Sequence, residues 1–189
     1  LIVLSIPQES RNLCLLLSSL SLPFILLYPS AKRWFKYPQL ILSICWGFSV
    51  LIPWAASESS LKGGVTLVFC WLATVFWTFG FDTVYAMADE MEDKVIGLNS
   101  SALSLGKQSI KTVSFCYVLT CFFLALAAFN ANLGLTYWPF WLISTLAMQR
   151  EVILLNSKPK GIKTSGSHFS NQVRIGSFLL LGMVLSRLI

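Results

Sequence analysis

Six apolar runs recur along the chain, at about residues 13–28, 39–56, 63–81, 112–129, 136–155 and 174–189. Each has the length of a helix. Several carry internal Gly or Pro, which membrane helices tolerate because neighbouring helices re-satisfy the freed backbone groups. A helix needs about 20 apolar residues to cross the hydrocarbon core. The pattern therefore predicts an all-α, polytopic transmembrane bundle of about six spans, with the short first and last ones tilted or set in thinner bilayer. Trp34, Trp54, Trp71, Trp77, Trp138 and Trp141 fall mostly near the predicted span ends, as interfacial aromatic belts do. The polar segment "NSKPKGIKTSGSHFSNQ", residues 156–172, reads as a loop or linker. No fixed-period repeat or second domain is visible, so residues 1–189 are taken as one transmembrane domain. The opening "LIVLSIPQES" is apolar from its first residue and lacks a charged n-region, unlike a signal peptide. It reads as the tail of a span, and the chain is expected to be a fragment.

Composition agrees with this class. The chain is 56% hydrophobic and only 12% charged, against about 25% charged in soluble globular domains. Its five cysteines all sit in apolar runs without a C-x-x-C pair, as small packing residues rather than metal ligands. His168 is the only histidine, which leaves little for a histidine-based metal site. The net charge of +6 raises nucleic-acid binding as a class, but the bases lie between spans, where they set topology instead. Connections 29–38, 82–111 and 150–174 hold eleven Lys and Arg, and the alternate connections with the C-terminal end hold three. By the positive-inside rule the rich connections face the cytoplasm. The protein is then expected in a bacterial inner membrane or organelle equivalent.

The acids are distributed less evenly. Five of the eight fall within "DTVYAMADEMED", as Asp82, Asp89, Glu90, Glu92 and Asp93, directly after the apolar "WLATVFWTFGF". On one continuous helix Asp82, Asp89 and Asp93 lie within about 40° of each other, with Tyr85 beside the same stripe. Three carboxylates so placed repel unless a cation compensates. Carboxylates suit Mg²⁺, which prefers one or two of them together with phosphate oxygens and water. The spacing thus points to a metal-bridged phosphate or diphosphate site at the membrane surface. A solvated acidic loop is the plainer alternative, weakened because no polar spacer separates Asp82 from the span and acids at membrane depth are usually functional. Downstream, Ser100 and Ser101 suit either phosphate contact or the capping of a helix near Ala102, and the residues do not choose between them. Lys32 and Arg33, in "YPSAKRWFKYPQ", either anchor a helix end or meet phosphate oxygens.

The stretch "DTVYAMADEMEDKVIGLNSSALSLG" resembles the second aspartate-rich motif of the UbiA superfamily of intramembrane aromatic prenyltransferases, nearest its 4-hydroxybenzoate polyprenyltransferase branch. "YPSAKRWFKYPQLILSICWGFSVLIPWAA" and "HFSNQVRIG" are similar to that branch's Y-P-x-x-K-R segment and its Asn-bearing approach to the last helix. The resemblance implies nine transmembrane helices around a cavity, six of them here, and Mg²⁺-dependent prenyl transfer from a polyprenyl diphosphate to 4-hydroxybenzoate or a similar aromatic acid in quinone biosynthesis. It implies that Asp89 and Asp93 hold Mg²⁺, with Asp82 and Tyr85 supporting catalysis. Lys32, Arg33, Lys94, Ser101 and Asn171 would contact substrate, although Lys94 sits one residue earlier than the branch's usual lysine. Glu92 stands where the family often has Asp. The family's first motif, N-D-x-x-D, is absent, because every aspartate lies in the second. These 189 residues alone are accordingly expected to be inactive. Rival readings are a transporter with an acidic ion pathway, a non-catalytic remnant, and a prenyltransferase for homogentisate, a naphthoate or a chlorophyllide.

Overall fold

In the computed structural model, which describes residues 7–157 and 161–188, each apolar run falls on a helix. The chain order is α1 (Gln8–Ala31), α2 (Pro38–Glu58), α3 (Gly64–Ala88), the short α4 (Glu90–Ile96) and α5 (Ser101–Leu105), a 3-10 turn at Gly106–Gln108, then α6 (Ser109–Asn130), α7 (Tyr137–Ser157) and α8 (Ile162–Leu188). No strand occurs among the described residues. Local chemistry sets the boundaries. Pro38 occupies the first turn of α2, where its missing N–H costs nothing. Gly97 closes α4 at φ 77°, a conformation glycine adopts without strain.

Among the described residues four stretches are long and apolar enough to cross a membrane: α1, α2, α3 and the run Ser101–Asn130. Helices α7 and α8, with 21 and 27 residues, have the length but not the apolarity. In α7 the consecutive Gln149, Arg150 and Glu151 interrupt the apolar run; in α8 polar residues fill most of the first half. The expected loop at 156–172 is corrected: from Ile162 onward it is helix. Ser165, His168 and Gln172 recur at helical spacing and are buried on one face, so a polar stripe, rather than an apolar one, docks this half of α8. Ser165 Oγ donates to the Val84 carbonyl at 3.1 Å, and Trp77 Nε1 donates to Gln172 Oε1 at 2.9 Å. Lys158 and Lys160 lie outside the described residues.

Sequential helices pack as antiparallel neighbours, and α3 sits centrally, against α2, α6 and α8. The main core joins Val84 and Met87 to Val113, Tyr117, Met148 and Leu179. Between membrane helices the hydrophobic effect gives little drive, so close approach through small residues matters more. Gly80 shows this: a Cβ there would stand 2.9 Å from the Tyr117 ring. The outer surface is greasy, with Leu16, Leu26, Phe115, Leu146 and Leu180 all more than half exposed. That is the surface of an integral membrane protein, solvated by lipid.

The base-rich connections share one end of the bundle. Asn99 N–H donates to the Lys32 carbonyl at 2.6 Å, Ser104 Oγ to the Lys36 carbonyl at 2.6 Å, and the start of α8 reaches Val84 near the end of α3. At the opposite end Arg187 donates to the Ala131 carbonyl at 2.9 Å.

Candidate functional site

The acidic stretch does not form one continuous helix. Helix α3 ends at Ala88, Asp89 takes φ −94° and ψ 3°, and α4 begins at Glu90. The turn stays tight because Asp93 N–H donates to the Asp89 carbonyl at 2.8 Å. The break separates the carboxylates by environment. Asp82 is half-buried within α3, Asp89 is exposed at the junction, and Asp93 is buried, 5% exposed. Glu92 points outward to solvent.

Asp93 has one cationic partner among the described residues. Lys32, just past the end of α1, approaches its Oδ1 at 3.4 Å. The other oxygen, Asp93 Oδ2, is buried with no hydrogen-bond partner, and so is Asp82 Oδ2. Leaving a carboxylate oxygen buried and unmet is costly, so both positions are poised for a ligand. The donor set of Asp89 and Asp93 fits a hard divalent cation that takes its other ligands from phosphate and water. Among the described residues no three Asp, Glu, His or Cys side chains converge as a cation site by themselves. Tyr28 on α1 lies near enough to Asp82, Asp93 and Asp89 for their charges to act on its phenol. It belongs to the same cluster, and its place at the head of the Tyr28–Pro29 segment was the available signal.

The remaining predicted residues fall in two groups. Arg33 and Lys94 are exposed on the carboxylate end, with no acidic partner among the described residues. Tyr85 is 43% exposed, its ring against Phe81 and Phe169. Ser101, by contrast, is wholly buried. Its N–H donates to Gln39 Oε1 at 2.8 Å and its hydroxyl pairs with Thr83 Oγ1 at 2.9 Å. Ser100 is the residue that caps α5, accepting from Leu103 N–H. Asn171 Nδ2 donates to Glu151 Oε1 at 3.0 Å, while its Oδ1 accepts from Arg174.

That last contact leads to a group the sequence reading missed. Glu151 is buried and lies 3.6 Å from His168 Nδ1, while His168 Nε2 meets the Tyr117 hydroxyl at 2.7 Å. The network ties α6, α7 and α8 together. A lone glutamate inside the predicted span 136–155 was the signal for it.

Beside Asp82, α2, α3 and α8 form an open cleft of about 380 Å³ lined by Trp46, Trp77, Phe81, Asp82, Phe169 and Gln172. The walls are aromatic and Asp82 is the acid among them. Phe76 turns away and stacks on Phe123.

Comparison with known proteins bears on the family and the fold. The UbiA prenyltransferase family model matches residues 5–171. The 4-hydroxybenzoate solanesyltransferase of Synechocystis sp. is 42% identical over 165 residues, 87% of this chain and 56% of that protein. The 4-hydroxybenzoate octaprenyltransferase of Vesicomyosocius okutanii is 31% identical over 170 residues, 90% of this chain and 61% of that one. A solved structure from work on digeranylgeranylglyceryl phosphate synthase shares the fold, at TM-score 0.71 and 21% identity, covering 92% of this chain and 61% of that one. The chain thus spans less than two thirds of the length of each of these relatives. With the motif-bearing carboxylates, the aromatic cleft and a family match over most of its length, the chain belongs to the UbiA prenyltransferase family.

Proposed function

We propose that the protein containing this chain transfers a polyprenyl group from a polyprenyl diphosphate to 4-hydroxybenzoate in quinone biosynthesis. The observation that carries this reading is a pair of buried, unmet carboxylate oxygens, one on Asp82 in the wall of an aromatic cleft and one on Asp93 beside Lys32. The relatives' names support the choice of acceptor and donor class. The chain is read as one transmembrane domain with six spans, its carboxylate end facing the cytoplasm by the count of eleven Lys and Arg against three.

Asp89 and Asp93 would hold Mg²⁺, which when bound supplies positive charge to the diphosphate as it leaves. Lys32 gives up its contact with Asp93 to meet phosphate oxygens, and Arg33, free of any acid among the described residues, adds a forked donor. Lys94 lies close enough in sequence to add charge at the same end. The cleft takes the allylic part of the tail. The faces of Trp77 and Phe81 line it, and π faces stabilise developing positive charge. Asp82 Oδ2 is positioned to accept the proton that the acceptor ring loses as its new C–C bond forms. Tyr85, packed on Phe169 and on Phe81, the neighbour of Asp82 in the chain, supports the same site, and Tyr28 lies near the acids. Ser101 and Asn171 act indirectly: the first pins α5 to α2 and α3, the second fixes Glu151. The protein's contribution is electrostatic stabilisation and alignment of two substrates.

The test is a panel of acceptors. Full-length protein in membranes from a host without its own prenyltransferase is given labelled polyprenyl diphosphate, Mg²⁺ and 4-hydroxybenzoate, homogentisate, a naphthoate or a chlorophyllide. Labelled 4-hydroxybenzoate product is expected. Product with another acceptor only would replace the substrate assignment, and no product with any would remove the reading.

A further inference from the structure

On the flank of the bundle formed by α6 and α7, the carboxylate end opens into a second cleft of about 350 Å³. It shares no residue with the aromatic cleft. Its rim is polar, made by Lys107, Lys111, Ser114 and Asn156, and its floor is aliphatic, from Ile110, Val152 and Ile153. Lys107 and Lys111 are both exposed and stand four residues apart, so their like charges crowd one face. Neither has an acidic partner among the described residues. Among the described residues no carboxylate lines the cleft. The site therefore presents uncompensated positive charge at the level where a span meets lipid headgroups.

What lies below the rim narrows the ligand. Along α6, Phe115 (61% exposed), Val118 and Phe122 continue from Lys111 at helical spacing. Along α7, Leu142, Leu146 and Ile153 (70% exposed) share one face, with Gln149, tied to Ser114, between the last two. An anion that fills the rim alone would leave this apolar track unused. A metal-bound diphosphate lacks the carboxylates it needs here. The shape and charge suit one molecule with a phosphodiester head and acyl tails. Asn156, whose side chain has no partner among the described residues, offers an amide donor. Ser114 Oγ donates to Gln149 Oε1 at 2.9 Å, so toward the cleft it offers an acceptor, which a headgroup hydroxyl satisfies.

We propose that the cleft between α6 and α7 is a binding site for an anionic glycerophospholipid of the adjoining leaflet, its phosphate held by Lys107 and Lys111. The lipid seals the seam between the two helices. Basic pockets between transmembrane helices bind anionic headgroups in this way, each Lys contributing about fivefold in affinity and the pair roughly thirtyfold.

The experiment uses the full chain in a neutral detergent, with lipid binding followed by native mass spectrometry and by thermal melting. Dioleoyl-phosphatidylglycerol should remain bound and raise the melting temperature, whereas dioleoyl-phosphatidylcholine should do neither. The K107Q/K111Q variant should weaken phosphatidylglycerol binding roughly thirtyfold, and K107R/K111R should restore it. Equal binding of the two lipids by the unaltered protein would overturn the proposal, whatever the variants do. So would undiminished binding by K107Q/K111Q. Displacement of phosphatidylglycerol by inorganic phosphate would mark a free-anion site, and displacement by geranylgeranyl diphosphate a substrate station. Either result also overturns it.

Discussion

Replacing Lys32 with Met tests the electrostatics of the candidate site without touching a carboxylate. Lys32 and Asp93 are 3.4 Å apart, a separation at which two unit charges attract by about 5 kcal/mol at an effective dielectric of about 20. Desolvation offsets much of that, because Asp93 keeps only 7% of its side-chain area exposed and Lys32 26%. The net loss expected on removing one partner of a charged hydrogen bond is about 1.5–3 kcal/mol. For a chain of this size that corresponds to a fall in melting temperature of roughly 3–12 °C. The loss is asymmetric. Lys32→Met strands a buried carboxylate whose second oxygen already lacks a partner, whereas Asp93→Asn leaves a lysine that can turn to water. The double variant, K32M with D93N, should therefore melt above K32M alone. A thiol-reactive fluorophore suits the assay, since Cys14, Cys116 and Cys121 are buried free thiols that unfolding exposes. If Lys32→Met melts within about 1 °C of the unaltered protein, or if the second substitution brings no recovery, the pair is not a buried electrostatic contact and the reasoning fails.

Three further outcomes follow from the packing and topology. Gly80→Ala forces a Cβ to within 2.9 Å of the Tyr117 ring, so it should destabilise by about 1–3 kcal/mol, read in the same melt; an unchanged melting temperature would mean that α3 and α6 are less tightly apposed than described. Ser101→Ala removes the hydroxyl contact with Thr83 and should cost about 1 kcal/mol while leaving the KM for polyprenyl diphosphate unchanged, and a large rise in KM would return Ser101 to the substrate site. Single cysteines placed at Lys36, Ser59, Lys107 and Asn132 should label from alternating faces of a sealed vesicle, and labelling of Ser59 and Lys107 from the same face would refute the topology.

Much of this architecture is legible in the residues because a bilayer demands apolar length, and among the described residues four stretches supply it. The ends of the helices are less so. Helix α8 begins at Ile162, well before its apolar portion, because Ser165, His168 and Gln172 dock by hydrogen bonds that hydropathy does not register. The acidic motif was visible as an excess of charge at a span's end. Its geometry was not: a uniform 100° rotation per residue places Asp82, Asp89 and Asp93 on one stripe, but the chain turns at Asp89, exposing that residue while burying Asp93. Ser101 illustrates a different limit. Its place after a glycine-bearing turn fits phosphate contact and capping equally, and only the tertiary partners Gln39 and Thr83, distant in sequence, decide where its groups are spent. The Tyr117–His168–Glu151 network escaped for the same reason, since its members come from three helices.

The account rests most heavily on Asp89 and Asp93 as the groups that hold metal against a departing diphosphate. The direct measurement is the initial rate of prenyl transfer to 4-hydroxybenzoate by the full-length protein, across a Mg²⁺ titration, for the unaltered enzyme and for Asp89→Asn and Asp93→Asn. Each substitution should lower kcat/KM on the order of 10²–10³-fold, the loss typical when one electrostatic stabiliser of a transition state is removed, and chelation of Mg²⁺ should abolish transfer. Glu92→Gln, at a side chain turned to solvent, should have a much smaller effect. Near-normal turnover by both aspartate variants, in protein shown by its melt to be folded, would contradict the account.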